Sequence, residues 1–355
     1  MHSSRQWNDN IFRFDAISIS REYNIPVSEL IDFQAFLVTT NTLDLKYRKW
    51  NVGHHKIYAL RYSDINGILR GLESPLREDF WKSLPSVRIR GKLNAMEFPC
   101  VMTVLNMTPD SFYPGSRLTE DKVNERLDEI EKAGGNIVDI GGQSTRPGSE
   151  RISKREEMKR ISKAVEISLN RGFTVSVDSY QPEVQEECLE MGTHIVNDVS
   201  GSQNQEIWKL VKRYDVPLVV MHKKGDFKTM QDSPSYENVI NEISSFFLRK
   251  IQEAQKAGVG DNIILDPGIG FGKRVEDNLS IIKNLRDLKI GPPLLIGLSR
   301  KNFIGKLLDE SVDERDTSSL IFNSIAIMNG ADIIRMHDTE ENVKLIKIIK
   351  KLKDF

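Results

Sequence analysis

Short apolar runs alternate with amphipathic segments along the chain from residue 100 onward. The runs are rich in Val, Ile and Leu, which is typical of strands buried in a parallel sheet, and the segments between them carry apolar residues at helical spacing. The predicted strands are residues 101–105, 136–140, 173–177, 194–196, 217–221, 262–265, 293–297 and 332–335. The predicted helices include residues 119–133, 153–171, 236–257 and 339–352.

This rhythm predicts an α/β fold, a (β/α)8 TIM barrel, over residues 96–355. Eight strand–helix units in about 255 residues match the size of such a barrel, whereas a doubly wound open sheet usually has about five or six strands. Right-handed crossovers place the C-terminal ends of all the strands on one face of a barrel. The residues that end the strands are therefore expected to lie close together, although they are far apart in sequence.

Residues 1–95 do not follow the barrel rhythm, and they predict a small N-terminal α+β extension of unknown function. A strand is predicted at residues 34–41 and a helix near residues 64–74. Residues 88–99 either link the extension to the barrel or form a hairpin that plugs the bottom of the barrel. No motif in the extension points to chemistry.

The charged residues are almost balanced, with 50 Lys and Arg against 51 Asp and Glu. This balance gives no electrostatic reason to expect a nucleic acid or a membrane surface as a partner. The two cysteines, Cys100 and Cys188, are too few for a disulfide framework and lack the spacing of a zinc or redox site. The polar N-terminus argues against a signal peptide, and no run of about 18 apolar residues predicts a membrane span. A cytoplasmic protein is therefore expected.

Acidic side chains end the third, fourth and sixth predicted strands, at Asp178, Asp198 and Asp266. Taken singly, Asp178 and Asp198 are each at least as typical of the N-cap of the helix that follows. On one barrel face, a carboxylate such as that of Asp178 is suited to accept hydrogen bonds from the ring N–H groups of a heterocycle. The glycines after Asp266 let the backbone approach a ligand closely. They do not form a Walker A motif, because Lys273 is followed by Arg274 and not by Ser or Thr.

Basic residues end the seventh and eighth predicted strands. Residues 299–301 follow the seventh strand, and strand alternation puts Arg335 and His337 on one side of the eighth. A helix N-terminus beside cations favours an anion, and phosphate sites in these barrels frequently lie after strands seven and eight. Residues 106–112 and 139–148 form loops after the first two strands that could close over the pocket. This layout fits a phosphorylated or pyrophosphorylated heterocycle.

Eight motifs resemble, in order and spacing, those of the dihydropteroate synthase family, whose members bind pterins on a TIM barrel. The motifs are NMTPDSF, GGQSTRPG, VDS, NDVSG, MH, DPGIGFGK, GLSRK and RMHD. The resemblance covers about residues 98–353. It implies a transferase of folate biosynthesis that condenses 6-hydroxymethyl-7,8-dihydropterin pyrophosphate with para-aminobenzoate. The products would be 7,8-dihydropteroate and pyrophosphate.

The resemblance also implies a role for each candidate site residue. The pterin ring would be held by Asp178, Asn197, Met221, Asp266 and Lys301. The pyrophosphate would be held by Arg335 and His337, with Mg²⁺ on Asn106. The para-aminobenzoate site would be lined by Thr145, Arg146, Pro147, Phe271 and Ser299, and a closing loop would contain Asp110 and Phe112. The catalytic residues would be Asp178, Lys301, Arg335 and His337.

The chain departs from the family pattern at Gln143, where Glu is common, at Lys223, where an apolar residue is common, and at Ser318, where Gly is common. A homodimer is the family expectation, and apolar residues of the last helices, such as Ile346 and Ile349, could form its interface. Two alternatives stay open. One is a pterin-dependent methyltransferase on the same barrel, which would not need the basic residues after the seventh and eighth strands to bind a pyrophosphate. The other is a non-catalytic pterin-binding paralogue.

Overall fold

The chain forms two compact units, Met1–Pro85 with Arg286–Gly291 and Ser86–Leu285 with Pro292–Phe355. Residues 86–95, which the sequence pattern assigned to the extension, fall in the second unit. The structure is a computed structural model. It describes residues 10–13, 23–25, 35–39, 49–60, 87–89, 92–94, 98–108, 116–144, 151–227, 229–260 and 262–353.

The first unit contains an antiparallel sheet with the order β1-β2-β4-β3. Its strands are β1 (Asn10–Arg13), β2 (Ala35–Thr39), β3 (Lys49–Val52) and β4 (His55–Leu60). Strand β2 confirms the strand that the sequence predicts at residues 34–41. A tight turn with Gly53 at a positive φ of 59° joins β3 to β4. The helix predicted near residues 64–74 lies outside the described residues.

The second unit begins with a hairpin of two short antiparallel strands, β5 (Val87–Ile89) and β6 (Lys92–Asn94). These strands confirm a hairpin at this point of the chain, while its place at the bottom of the barrel stays a prediction. The barrel strands follow, and each lies within one or two residues of its predicted position. They are β7 (Cys100–Asn106), β8 (Ile137–Gly141), β9 (Thr174–Asp178), β10 (Ile195–Asp198), β11 (Leu218–Met221), β12 (Ile263–Asp266), β13 (Leu295–Gly297) and β14 (Ile333–Met336).

Within the described part of the chain, the eight strands β7–β14 form one parallel sheet. Strand β14 pairs with β7, and an isolated bridge between Leu265 and Leu294 brings β12 beside β13. The backbone N–H of Leu265 also donates to the carbonyl oxygen of Pro293 at 2.9 Å. The sheet therefore closes on itself, which confirms the predicted (β/α)8 barrel.

Nine α-helices in the described ranges separate or follow the barrel strands. They are α1 (Ser116–Ala133), α2 (Lys154–Asn170), α3 (Pro182–Met191), α4 (Glu206–Tyr214), α5 (Val239–Ala257), α6 (Val275–Lys283), α7 (Asn302–Leu308), α8 (Arg315–Met328) and α9 (Thr339–Lys353). Two of them, α7 and α8, lie between β13 and β14. Ser153 and Asn238 cap α2 and α5, since each side chain accepts a backbone N–H of the first turn. None of these helices has the length and apolar character that a membrane crossing requires.

The barrel interior is filled by apolar side chains from seven of its strands. They are Met102, Ile137, Ile195, Val219, Ile264, Leu295 and Ile333. Each points inward from the N-terminal part of a strand, so this layer leaves the C-terminal ends free for polar residues. The pattern explains why four of the eight strands, β7, β9, β10 and β12, end in Asn or Asp.

The last helix corrects the prediction about exposed apolar residues. Ile346 and Ile349 are only 7% and 4% exposed, because they lie on the face of α9 that packs on the barrel. The exposed apolar residues of α9 are Ile348 and Leu352. Ile346 and Ile349 therefore belong to the core and cannot form an interface.

Candidate active site

Polar residues line the C-terminal edge of the sheet in register. Asn106 of β7 is aligned with Gly141 of β8, and Gly141 with Asp178 of β9. Asp178 is in turn aligned with Asn197 of β10. Elsewhere along the same edge, Met221 of β11 is aligned with Asp266 of β12, and Gly297 of β13 with Arg335 of β14. The predicted convergence of the strand ends is thus present in the fold.

Arg335 joins two carboxylates at the mouth of the barrel. Its Nε lies 2.6 Å from Oδ2 of Asp139, and its Nη2 lies 2.5 Å from Oδ2 of Asp178. The same Oδ2 of Asp139 accepts a hydrogen bond of 2.9 Å from the side-chain amide of Asn197. We call Asp139, Asp178, Asn197 and Arg335 the carboxylate cluster.

Asp139 is the member of the carboxylate cluster to which the sequence assigned no role. It lies inside β8 and is fully buried. The signal that could have found it is a single carboxylate within the otherwise apolar run NIVDI. A buried charge must be paired, and its partner Arg335 comes from a strand that lies far away in sequence.

The carboxylate cluster leaves acceptors unused. Among the described residues, Oδ1 of Asp139 and Oδ1 of Asp178 are buried and have no hydrogen-bond partner. Burial raises the pKa of Asp178 to about 7, although the charge of Arg335 acts in the opposite direction. Two buried acceptors without donors are costly, so they indicate a place for a ligand that carries N–H groups.

Asp266 ends β12, and Lys301 follows β13. Burial lowers the pKa of Lys301 to about 8, and the nearby Arg335 charge lowers it further, while Asp266 and Asp178 raise it. Burial also raises the pKa of Asp266, against the hydrogen bond of 2.7 Å that its Oδ1 accepts from the backbone N–H of Gly268. Lys301 is therefore within electrostatic range of both predicted carboxylates. Met221, between them along the sheet edge, is buried.

His337 follows β14 and is held by two neighbours. Its Nδ1 lies 2.9 Å from the hydroxyl oxygen of Ser299, and its carbonyl oxygen accepts a hydrogen bond from Arg126. Burial lowers the pKa of His337 to about 4, and the charges of Arg335 and other cations add to this effect. His337 is thus neutral near pH 7, and Ser299 is placed beside it.

Arg300 does not contact Arg335 or His337, contrary to the sequence interpretation, which placed residues 299–301 beside them at an anion site. Its guanidinium makes two hydrogen bonds to the carboxylate of Asp316 on α8, of 2.7 and 2.9 Å. The backbone of Arg300 has a positive φ of 56°. The charge of Arg300 is therefore neutralised by a fixed partner outside the carboxylate cluster.

The loop after β12 is fixed by a buried lysine. The Nζ of Lys273 lies 3.1 Å from Nδ1 of His222 and donates to the carbonyl oxygens of Gly268, Phe271 and His222 at 2.9, 3.1 and 3.3 Å. Burial lowers the pKa of His222 to about 2, so this histidine is neutral and can accept from the ammonium. A side chain at Gly268 would collide with the carbonyl oxygen of His222, which makes glycine obligatory there. We call this set of contacts the Lys273 tether.

Aromatic residues stand beside Lys301. Its Nζ lies 4.5 Å from the centre of the Phe271 ring, and Phe271 contacts Phe227 edge to face at 6.5 Å. Phe227 in turn stacks on Tyr180 at 5.5 Å. The side-chain amide of Gln143, one of the departures from the family pattern, donates to the hydroxyl of Tyr180. Tyr180 and Phe227 were not predicted as site residues.

Five predicted site residues lie outside the described residues. They are Asp110, Phe112, Thr145, Arg146 and Pro147. Asn106, the predicted metal ligand, ends β7 and is partly exposed. In the described ranges no group of three or more His, Cys, Asp or Glu side chains could hold a metal ion.

The comparisons with known proteins agree with this layout. The family model described as "Pterin binding enzyme" matches residues 102–337. The dihydropteroate synthase of Escherichia coli (strain K12) is 37% identical over 264 residues, which are 72% of this chain and 92% of that protein. A curated dihydropteroate synthase of Synechocystis sp. is 38% identical over 254 residues, 70% of this chain and 88% of that protein.

Solved structures give the same result. A Yersinia pestis dihydropteroate synthase in a sulfonamide drug complex has a TM-score of 0.71 and 34% identity, and the match covers 76% of this chain and all of that one. A Xanthomonas albilineans dihydropteroate synthase with 4-aminobenzoic acid has a TM-score of 0.71 and 31% identity, with 77% and 99% covered.

Proposed function

The chain belongs to the pterin binding enzyme family, and from that premise we propose that it acts as a dihydropteroate synthase in folate biosynthesis. It is a transferase. It moves the pterinylmethyl group of 6-hydroxymethyl-7,8-dihydropterin pyrophosphate to the amine of para-aminobenzoate. The products are 7,8-dihydropteroate and pyrophosphate.

The carboxylate cluster carries this proposal. A pterin offers ring N–H and amino donors along one edge, and Oδ1 of Asp139 and Oδ1 of Asp178 are two buried acceptors that lack donors within the described residues. Charge-assisted hydrogen bonds of this kind are worth about 1.5–3 kcal/mol each. We assign the pterin ring to this place, with Asn197 and Asp266 as further polar partners.

Lys301 and Met221 complete the proposed pterin site. Lys301 lies in the fields of Asp178 and Asp266, and it is suited to donate to a ring acceptor such as the pterin carbonyl or a ring nitrogen. Met221 is buried at the end of β11 and offers a polarisable apolar surface to the ring. The mix of acceptors, one donor and one apolar wall fits a flat polar heterocycle.

We assign the pyrophosphate to Arg335 and His337. Before the substrate binds, the charge of Arg335 is compensated by Asp139 and Asp178, and both it and His337 stand at the end of β14. Neutral His337, fixed through Nδ1 by Ser299, keeps Nε2 available for a phosphate oxygen. Arginine is suited to the bidentate binding of phosphate.

Asn106 is the residue that we assign to Mg²⁺. A magnesium ion commonly keeps several waters and takes only one or two protein oxygens together with substrate phosphates. The partly exposed end of β7 and an amide oxygen fit such a site, although no cage of acidic residues exists among the described residues. When bound, the ion supplies positive charge to the leaving pyrophosphate.

The para-aminobenzoate is assigned to the wall formed by Phe271 and Ser299 and to the loop residues Thr145, Arg146 and Pro147. Phe271 stands next to Lys301, so an arylamine on this wall lies beside the pterin. Asp110 and Phe112 are assigned to the loop that closes over the reacting carbon. The order of these residues at the strand ends supports the assignment.

The proposed reaction breaks the bond between the methylene carbon of the pterin and the pyrophosphate oxygen. The electron pair leaves with the pyrophosphate, where Arg335 stabilises the developing charge. The cation that remains is delocalised over the pterin ring beside the Asp178 carboxylate. The amine nitrogen of para-aminobenzoate then bonds to the methylene carbon and gives up a proton to the released pyrophosphate. Closed loops exclude the water that would compete for the cation.

A homodimer is proposed through the outer faces of α7, α8 and α9. Eight large apolar residues in this part of the chain are exposed by 42% to 65%: Leu307, Leu308, Val312, Ile321, Ile325, Met328, Ile348 and Leu352. Apolar faces of this kind usually mark an interface. The cytoplasmic location stays a prediction from the sequence.

The decisive experiment is an assay of pyrophosphate release by the purified full-length protein. Release that requires both the pterin pyrophosphate and para-aminobenzoate is the expected result. Methyl transfer from a reduced folate without pyrophosphate release would favour the pterin-dependent methyltransferase. Pterin binding without either reaction would favour a non-catalytic paralogue.

A further inference from the structure

Three aromatic rings form a continuous row at the barrel mouth, and two of them have no part in the function proposed above. The rings are Tyr180 after β9, Phe227 after β11 and Phe271 after β12, and we call them the ring stack. We propose that Tyr180 and Phe227 are positioning residues that set the affinity for the arylamine substrate by fixing Phe271. This inference rests on the proposed function.

The geometry of the ring stack leaves Phe227 in the middle position. Its ring is nearly parallel to Tyr180, with an interplanar angle of 27°, and nearly perpendicular to Phe271, with an angle of 80°. These are the two favoured arrangements of aromatic pairs, each worth about 0.5–1.5 kcal/mol beyond area burial. The side chain of Phe227 therefore connects Tyr180, after β9, to Phe271, after β12.

Two cations and one amide hold the outer part of the ring stack. The Nζ of Lys223 lies 4.8 Å from the centre of the Phe227 ring, and the guanidinium carbon of Arg151 lies 5.7 Å from that of Tyr180. Gln143 donates to the Tyr180 hydroxyl and accepts from the backbone N–H of Ile152. Lys223 and Gln143 both depart from the family pattern, and both contact the ring stack.

Among the described residues, the ring stack contacts the proposed binding residues through Phe271. Phe271 contacts Lys301, whereas the carboxylate cluster is held by hydrogen bonds in which no aromatic ring takes part. The backbone of Phe271 is fixed by the Lys273 tether, but its ring contacts Phe227. Loss of Phe227 should therefore loosen the arylamine wall and leave the pterin site intact.

The test compares steady-state kinetics of the full-length protein and its variants with both substrates varied. Phe227→Ala is expected to raise KM for para-aminobenzoate about 10-fold, from the loss of two aromatic pairs, with KM for the pterin pyrophosphate changed less than about 2-fold. Phe227→Tyr keeps the ring and should restore the wild-type KM. If Phe227→Ala does not fold, the same two KM values are compared in Phe227→Leu, which also lacks the ring.

Tyr214→Ala is the matched control, since Tyr214 ends α4 and its ring lies 5.5 Å from the Arg213 guanidinium. It precedes β11 and therefore stands at the opposite end of the barrel from the strand C-termini. Both KM values should stay unchanged in this variant. An unchanged KM for para-aminobenzoate in Phe227→Ala, or an equal rise for both substrates, would overturn the inference. Absence of turnover in the wild-type protein would instead overturn the proposed function.

Discussion

The carboxylate cluster and the Lys273 tether lie at the same barrel mouth, and both contain buried charges, but their hydrogen bonding differs. Burial lowers the pKa of Lys273 to about 7, and the side-chain nitrogen of Lys273 faces four protein acceptors within 3.3 Å. The carboxylate cluster leaves Oδ1 of Asp139 and of Asp178 without a donor among the described residues. Lys273 therefore finds all its hydrogen-bond partners within the protein, whereas the two Oδ1 atoms find none among the described residues.

This difference in hydrogen bonding indicates a structural role for the Lys273 tether and a binding role for the carboxylate cluster, and it does so without reference to sequence motifs. A buried cation with all its donors used fixes the backbone, as Lys273 fixes the loop that carries Phe271. Buried acceptors with no donor destabilise the ligand-free protein, and the ligand that supplies donors offsets the cost. The comparison therefore predicts which substitutions affect binding and which affect stability.

The largest effect is expected from Asp178→Asn. The neutral amide loses about two charge-assisted hydrogen bonds to the pterin, so kcat/KM for the pterin pyrophosphate should fall about 10³-fold. The matched control is Asp198→Asn, because Asp198 ends the neighbouring strand and both of its oxygens accept backbone N–H groups, of Ser200 and Ser202. The control should lower the melting temperature and leave kcat/KM within about 3-fold. Equal losses in the two variants would remove the distinction.

Arg335→Ala is expected to lower kcat by about 10²-fold, since the charge that develops on the leaving pyrophosphate loses its partner. Calorimetry on this variant should show a larger loss of affinity for the pterin pyrophosphate than for a pterin without it. The simple pterin also loses some affinity, because removal of the Arg335 charge raises the pKa of Asp178 further. Arg300→Ala is the control, because its guanidinium is paired with Asp316, and its kcat should stay within about 2-fold. If the simple pterin loses as much affinity as the ester, Arg335 serves the ring and not the pyrophosphate.

The pterin affinity should depend on pH through Asp178. Its pKa of about 7 means that the carboxylate is ionised above this pH and protonated below it, so affinity should fall about tenfold for each pH unit below 7. In the ligand-free protein the raised pKa makes the contribution of Asp178 to stability decrease as the pH rises from 3.8 to about 7. Calorimetry from pH 5.5 to 8.5 measures the binding, and Asp178→Asn should abolish the slope. A slope that persists in Asp178→Asn belongs to another group.

The smallest effect on catalysis is expected from Lys273→Met. Three buried carbonyl groups lose their donor, so the free energy of unfolding should fall by about 2–3 kcal/mol, while kcat/KM stays within about 5-fold. Urea denaturation measures the stability. Lys209→Met, which removes an exposed ion pair with Glu206, should cost less than about 0.5 kcal/mol. If kcat/KM falls by more than the smaller folded fraction can account for, Lys273 belongs to the catalytic site.

Much of the barrel could be predicted because its signals are local. Runs such as VMTVL and NIIL are short, apolar and rich in β-branched residues, so their strands were found within one or two residues. The strand ends were found because parallel strands place them on one face. The face of α9 that packs on the barrel was not predicted correctly, since Ile346 and Ile348 look alike in a sequence and only the fold decides which one is buried.

The parts of the site that were missed depend on pairs of residues that are far apart in sequence. Asp139 looked like part of a buried strand, because its partner Arg335 comes from the other end of the barrel domain. Phe227 falls between the predicted strand 217–221 and the predicted helix 236–257, and its contacts with Tyr180 and Phe271 follow from loop conformations that hydrophobic periodicity does not predict. The Lys273 tether could not be predicted for the same reason, because Lys273 and His222 are 51 residues apart in sequence.

The most direct test of the central claim is a crystal structure of the protein with a bound pterin. The expected result is that ring N–H or amino donors lie within hydrogen-bond distance of Oδ1 of Asp139 and Oδ1 of Asp178, with the Lys273 tether unchanged. The claim is contradicted if the pterin binds elsewhere, or if it binds at the barrel mouth and both Oδ1 atoms still lack a donor.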